Sequence, residues 1–350
     1  MHSVPSKLEN NIDQLYRKNQ VKSIIFLIIL GGILLVTILL SLRAGSYETP
    51  IGELLKGIFG MSADRKINIV VQNNRLPRIL TAIIAGGGLG LAGCILQAVL
   101  RNPLASSSTL GVSQGATFGA AFAIVVLGMG ATDKFGIPLC AFLGSIAVAL
   151  VILGLSKFRQ VSPEGIVLAG VAISSMFTGA TALVQYFCDD VMVATVVYWT
   201  FGSLGRAGWT EIAIIAALTF AVFVFFYYNR WNYNAMEGGT HTAKSLGVPV
   251  DRLIVLSMAL CALISSVAVA FVGCISFIGL IAAHIMRRFV GNDYRFLIPC
   301  SALCGGVLLL LSDIVSRMLL SPTVLPIGAL TSFLGAPLFL YLIIKGGKRK

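Results

Sequence analysis

The sequence predicts an all-α polytopic membrane protein, on three observations. The 350 residues are 57% hydrophobic and only 11% charged, which is too few charges for the surface of a soluble domain. Apolar runs of about 20 residues, the length that crosses a bilayer as a helix, recur along the whole chain. Only one carboxylate, Asp313, falls inside these runs.

Ten runs are predicted to be transmembrane helices. They are residues 24–42, 79–100, 110–129, 136–156, 165–187, 212–229, 253–272, 278–291, 296–316 and 326–344. An eleventh apolar piece, Val191 to Gly205, is too short for a span, and we predict a re-entrant or interfacial segment. The uncharged run from Leu253 to Met286 is too long for one helix, so we divide it at residues 273–279, which leaves the eighth span short. Broken helices are tolerated at depth only where protein or a water-filled cavity shields the backbone, so the break indicates a pathway.

Basic residues predict the orientation. Residues 1–22 are predicted as a cytoplasmic tail, 23–345 as one ten-helix domain and 346–350 as a basic cytoplasmic tail. Most of the 26 lysines and arginines fall in segments that are cytoplasmic if the N-terminus is inside, so the positive-inside rule places both termini in the cytoplasm. The net charge of +12 is explained by basic loops against anionic membrane lipid, and we predict no nucleic-acid partner.

The sequence offers no catalytic, metal or cofactor site. The seven cysteines lie in or beside apolar runs without C-x-x-C spacing, so we predict packing residues. There is no G-x-x-x-x-G-K-[ST] loop to bind a nucleotide. Asp313 and Arg317 stand at i and i+4, the spacing of an ion pair, and a single paired carboxylate is a poor proton relay. This argues against the alternative function, a secondary transporter driven by an ion gradient. An intramembrane enzyme is a more distant alternative, for want of a nucleophile–base or metal constellation.

Glycine stripes predict close helix packing. Gly86, Gly90 and Gly93 share one helix face with Gln97, and Gly111, Gly115 and Gly119 repeat every four residues. In lipid, small residues at such spacing let helix backbones approach each other, where van der Waals packing drives association.

The stretch that contains these glycines resembles the FecCD family of ABC importer permeases. It carries R-x-P-R at 75–78, N-P-L-A at 102–105 and L-G-V-S-x-G-A at 110–116. Further blocks that resemble the family follow in the same order. They are residues 162–172, 198–203, 243–248 and 273–284, the pair Asp313 and Arg317, and residues 325–328 and 335–337. Two positions depart from the family pattern: Ala283 replaces a usual Pro, and Val324 replaces a usual Glu.

The resemblance implies a type II ABC importer permease of the bacterial or archaeal cytoplasmic membrane. Such a permease pairs with a second permease subunit, identical or closely paralogous. Two separate ATP-binding cassette ATPase subunits power it, and an extracytoplasmic substrate-binding protein delivers a metal chelate. Of the chelates that the resemblance implies, we expect an iron–siderophore complex first, with haem and cobalamin as the alternatives. A large chelate needs a wide and weakly binding conduit, which agrees with the scarcity of charge in the spans.

The resemblance also implies two partner sites. Arg75, Arg78 and Arg317 are predicted to form one outer surface that docks the binding protein; interfacial anchoring by snorkelling is the alternative. The loop 229–252 is predicted to couple to the ATPase through a short helix, with Thr240 as its cap and Gly247 as its left-handed end. The predicted coupling residues are Glu237, Gly238, Thr240, His241, Ala243, Leu246 and Gly247. The alternative is a plain connector lying on lipid headgroups.

Overall fold

The computed structural model describes residues 6–45, 49–130, 133–157 and 163–347, and every regular element in these ranges is helical. The α-helices are, in chain order, α1 (Ser6–Arg43), α2 (Ile51–Ile58), α3 (Arg65–Val70), α4 (Leu76–Val99), α5 (Val112–Val125), α6 (Gly136–Lys157), α7 (Pro163–Tyr186), α8 (Asp190–Thr200), α9 (Trp209–Tyr228), α10 (Arg230–Glu237), α11 (Thr240–Ser245), α12 (Val250–Val272), α13 (Ile278–Val290), α14 (Tyr294–Met318) and α15 (Ile327–Gly347). Residues 1–5 and 348–350 of the predicted tails, and Ser162, lie outside the described ranges.

Seven helices in the described ranges are long and apolar enough to cross a membrane. They are α1, the continuous helix of residues 65–99, α6, α7, α9, α12 and α14. The prediction of an all-helical, multi-pass membrane protein is therefore confirmed. The three other predicted spans coincide with α5, α13 and α15. Helices α5 and α13 are shorter than the seven long helices, and so is the described apolar part of α15. The count of ten spans is not confirmed.

Two helices begin earlier than their apolar runs. Helix α1 starts at Ser6 and continues without a break into the predicted first span. The second span begins at Arg65, because Asp64 accepts a hydrogen bond from the backbone N–H of Lys66 at 2.8 Å and caps the helix. A π-helical turn, Val71–Arg75, joins α3 to α4 directly before Pro77.

Helix α4 packs backbone to backbone against α13 and α14. A Cβ at Gly86 would lie 2.5 Å from the carbonyl oxygen of Gly305, and one at Gly90 would lie 2.3 Å from that of Ser301. A Cβ at Gly93 would lie 2.2 Å from the carbonyl oxygen of Gly279. No side chain larger than hydrogen fits at these distances, so the first stripe lies at a helix–helix contact.

The glycines of the second stripe, Gly111, Gly115 and Gly119, have two different roles: two pack against α6, and one forms a turn. Cβ atoms at Gly115 and Gly119 would lie 2.5 and 2.1 Å from carbonyl oxygens of α6, those of Gly144 and Cys140. Gly111, by contrast, precedes the helix and has φ +86°, a left-handed conformation that favours glycine. Gly111 therefore forms the turn into α5 and does not extend the stripe.

The predicted break after α12 is confirmed. Helix α12 ends at Val272, Gly273 and Phe277 have φ +87° and +67°, and α13 begins at Ile278. The backbone N–H of Ser203 donates to the carbonyl of Val272 at 2.7 Å. The break therefore contacts the turn after α8.

Helix α15 starts at the same place. The backbone N–H of Gly328 donates to the carbonyl of Phe201 at 2.9 Å. A Cβ at Gly328 would lie 2.3 Å from the carbonyl oxygen of Cys274. The ends of α8 and α12 and the starts of α13 and α15 thus meet at one point.

Candidate docking and coupling sites

The three predicted docking arginines lie where α1 and α14 end and α4 begins, and two of them, Arg78 and Arg317, pair with one carboxylate. Asp313 is fully buried in α14. Its Oδ1 lies 2.6 Å from Nε of Arg78, and its Oδ2 lies 2.9 Å from Nε of Arg317. The ion pair predicted from the i, i+4 spacing of Asp313 and Arg317 is confirmed.

Arg75 and Arg317 bind the C-terminal end of α1. Arg75 donates from Nη1 to the carbonyl of Leu42 at 2.6 Å. Arg317 donates from Nη1 to the carbonyl of Ala44 at 2.6 Å and from Nη2 to Oγ of Ser41 at 2.7 Å. The last carbonyls of a helix lack intrahelical donors, and cations near them are favoured by the helix dipole. The cluster therefore fastens α1 to α4 and α14.

The arginine side chains are more buried than the side chains of an exposed docking surface would be. Arg75 is only 6% exposed, and the Arg78 side chain is 18% exposed. A cavity of about 850 Å³ opens beside Arg317 and is also lined by Arg43, Thr49 and Ser321. The cluster is thus accessible from one side. It is net positive, because it contains three guanidinium groups and one carboxylate.

The predicted coupling loop folds into α10 and α11, and Glu237 fastens it to the turn between α13 and α14. Its carboxylate accepts hydrogen bonds from Oη of Tyr294 at 2.8 Å and from Nδ2 of Asn292 at 3.1 Å. Nη1 of Arg287 lies 3.3 Å from the same carboxylate. Glu237 therefore has a structural role inside the chain.

Further contacts fix α10. Oδ1 of Asn234 accepts the backbone N–H of Tyr294 at 2.8 Å, and the hydroxyls of Tyr233 and Ser257 lie 2.7 Å apart. These residues, with Arg287, Asn292 and Tyr294, were not predicted from the sequence. The one signal was the polar turn Gly291–Asp293 between two apolar runs, and no spacing rule links it to Glu237.

Asp293 completes the turn. Burial opposes its ionisation, but hydrogen bonds from the side chain and backbone of Arg295 and from Asn234 outweigh that effect and hold the pKa of Asp293 below its ordinary value. The carboxylate therefore stays charged and also caps α14 by accepting the backbone N–H of Arg295.

Helix α11 differs in part from the prediction. Thr240 is its first residue and makes no capping bond; the N-cap is Gly239 with φ +109°, so the predicted Thr240 cap is wrong. Gly247 follows the helix with φ +82°, so the predicted left-handed end is confirmed. Ala243 is buried, whereas Leu246 is 69% exposed.

The remaining predicted coupling residues lie near the exposed face of α11. Gly238, His241 and Gly247 are exposed, and Thr240 is half-buried. Leu246 is therefore an exposed apolar side chain among polar neighbours, at the end of an element held rigid by Glu237.

Comparisons with known proteins agree with this architecture. The model of the FecCD transport family matches residues 33–345. The chain is 50% identical to "Putative ABC transporter permease protein MJ0087" of Methanocaldococcus jannaschii, over 97% of this chain and 99% of that protein. It is 33% identical to the "Fe(3+)-citrate import system permease protein YfmE" of Bacillus subtilis, over 93% and 96%.

A solved structure shares the fold. It is described as "An inward-facing conformation of a putative metal-chelate type ABC transporter", with a TM-score of 0.80 and 30% identity over 91% of this chain and 99% of that one. Fold and relatives together define a multi-pass ABC transporter permease. The chain belongs to the FecCD transport family, whose model covers nearly all of it.

Replacing Asp313 with Asn should destabilise the protein strongly. The change leaves the guanidinium groups of Arg78 and Arg317 without their buried counter-charge, and breaking such a pair costs about 3 kcal/mol or more. Thermal unfolding of the purified protein in detergent measures the effect. The matched control is Asp251→Asn, which removes the exposed pair with Lys244 and should change the midpoint little. Equal midpoints for the two variants would contradict the structural role of Asp313.

Proposed function

We propose that the chain is the permease subunit of a binding-protein-dependent importer of metal chelates, powered by separate ATPase subunits in the plasma membrane. The observation that carries this proposal is the family match over residues 33–345. A second permease copy, or a close paralogue, completes the translocation path. The names of the relatives, an iron–citrate permease and a metal-chelate transporter, support the class of cargo.

The topology proposed with this function has ten crossings and both termini in the cytoplasm. The short helices α5, α13 and α15 then supply the three crossings beyond the seven long ones. The break at Gly273 supports this arrangement, because the short helices α13 and α15 both begin beside it and packed neighbours shield the irregular backbone there.

Within the cargo class, we propose an iron chelate, with haem and cobalamin as the other outcomes. The measurement is direct: the chelate retained by the partner binding protein is identified after purification, by mass and metal content. A retained haem or cobalamin would overturn the iron assignment and leave the permease function intact.

Transport should depend on ATP and not on an ion gradient. In the described spans, Glu164, Glu211 and Asp251 lie in the first turn of their helices. Asp313, which lies further inside its helix, is held between two arginines, so no chain of acids is left to carry protons. Uptake into cells should therefore survive collapse of the proton and sodium gradients while ATP is maintained. Uptake by the purified permease alone in liposomes, driven by an imposed gradient, would establish the alternative, a secondary transporter.

We propose that the positive cluster of Arg75, Arg78 and Arg317 docks the binding protein. The net charge of the cluster and the cavity beside Arg317 support this, because a carboxylate of the partner can approach there. The contacts with α1 set a condition on the test. Charge reversal of all three arginines would also break the fold, so a milder single change is needed.

The docking test uses Arg78→Gln. Binding-protein affinity, measured on the purified full chain, should fall about fivefold or more, and its decrease with rising salt should become less steep. The control is Arg65→Gln, an exposed arginine at the start of α3 and outside the cluster. An Arg78 variant that folds and binds as tightly as the wild type would contradict the assignment.

We propose that α11 inserts into a groove of the ATPase subunit. Two observations support this: Leu246 is exposed at the end of α11, and Glu237 fixes the preceding α10 to the rest of the chain. A helix that places an apolar side chain in a groove of its partner is a recurring mode of recognition. The contrary hypothesis, a connector on lipid headgroups, needs no such rigid base.

Leu246→Asp should lower the affinity for the ATPase by about tenfold or more, because a buried leucine contributes that much to an interface. Folding and binding-protein docking should be unchanged. The matched control, Leu320→Asp, makes the same change at an exposed leucine beyond the other end of α14 and should leave ATPase affinity intact. Wild-type ATPase affinity in the Leu246 variant would favour the connector.

A further inference from the structure

A polar groove lies between α1 and the turn that joins α13 to α14. Its volume is about 420 Å³. Tyr16, Lys22 and Ser23 line it from α1, and Arg288, Phe289 and Asn292 line it from the other side. It lies at the same end of the helices as the Glu237 contacts, because Asn292 belongs to both.

Two cationic side chains that line the groove are not paired with a carboxylate of the described ranges. Among the side chains that the structure describes, neither Lys22 nor Arg288 has a hydrogen-bond or ion-pair partner. The neighbouring cations differ, since Arg287 pairs with Glu237 and Arg295 pairs with Asp293. The carboxylate of Asp293, which also lines the groove, is therefore already neutralised.

Two stacked aromatic rings lie directly beside the groove. The rings of Phe26 and Phe289 are stacked, with centroids 4.8 Å apart and an angle of 12° between their planes. Phe26 lies one helical turn beyond Lys22 on α1, and Phe289 follows Arg288 on α13. Cations and amides at one level, with aromatic rings at the next, match the boundary between lipid headgroups and acyl chains.

Tyr16 closes the groove on the polar side. Its hydroxyl accepts a hydrogen bond from Nη2 of Arg295 at 2.7 Å, and the guanidinium of Arg295 lies 4.9 Å from the ring centre of Trp231 in α10. The wall formed by α1 is thereby connected to α10 through Arg295.

We propose that this groove binds the phosphate headgroup of an anionic phospholipid, with one acyl chain lying along Phe26 and Phe289. Lys22 and Arg288 bind the phosphate from opposite walls, and Ser23 and Asn292 lie within the lining. A zwitterionic headgroup brings its own cation, which Lys22 and Arg288 repel, so it binds more weakly. The proposal rests on α1 and α13 and does not depend on the docking or coupling proposals.

The test measures lipid binding to the purified full chain by native mass spectrometry, with phosphatidylglycerol and phosphatidylcholine added in turn. The wild type should bind phosphatidylglycerol more tightly. Lys22→Gln with Arg288→Gln should weaken that binding about 30-fold, since each cation near a headgroup contributes about fivefold. The matched control is Lys18→Gln with Arg252→Gln, which removes two exposed cations outside the groove and should have little effect.

The binding of phosphatidylglycerol should depend on the positive charge at positions 22 and 288 and not on the shape of the side chains. Lys22→Arg with Arg288→Lys should bind phosphatidylglycerol like the wild type. If the double glutamine variant fails to fold, Arg288→Gln is compared with Arg252→Gln, and about fivefold is expected. Three results would overturn the proposal: no selectivity for phosphatidylglycerol, equal losses in groove and control variants, or equally tight binding of soluble glycerol phosphate, which would assign the groove to free phosphate.

Discussion

Contact between helix backbones along α4 is the constraint on which the other features depend. Lipid chains are as apolar as the helices, so burial of apolar surface does not drive their association, and close packing must. Gly86 and Gly90 lie against α14, and Gly93 lies against α13, at distances that exclude any Cβ. Helices α13 and α14 carry Asp313 at one end and the Asn292–Tyr294 turn at the other. The glycines of α4 therefore position both candidate sites.

Burial of charge explains why the arginine cluster has its present form. A buried carboxylate is costly unless it is paired, and Asp313 lies between two guanidinium groups. The arginines in turn hydrogen-bond to the last carbonyls of α1, which have no donors within their own helix. The same groups thus close the fold at this end and provide its positive charge. The arginine cluster is rigid, because each arginine is already oriented by an internal partner.

The sequence predicts what local spacing determines. The first glycine stripe, the break at Gly273, the Asp313–Arg317 pair and the left-handed Gly247 each follow from a few neighbouring residues, whereas Gly111 of the second stripe lies in the turn before α5. Contacts across the chain do not: the partners of Glu237 are about 50 residues away, at Arg287 and Asn292. Helix starts were also missed, because polar residues before an apolar run continue the helix in α1. Thr240 is predicted to cap α11, but the N-cap is Gly239, in a left-handed conformation that a β-branched residue such as threonine rarely adopts.

Helix α13 joins the two halves of this arrangement. At one end, Arg287 contacts Glu237 at the end of α10. At the other end, Phe277 and Ile278 follow the break, where the turn after α8 and the start of α15 also meet. Along its length, Gly279 lies against α4 so closely that the helix has little freedom to bend toward it. This short helix is thus in contact with α10 through an ion pair at one end and with the junction of α8, α12 and α15 at the other.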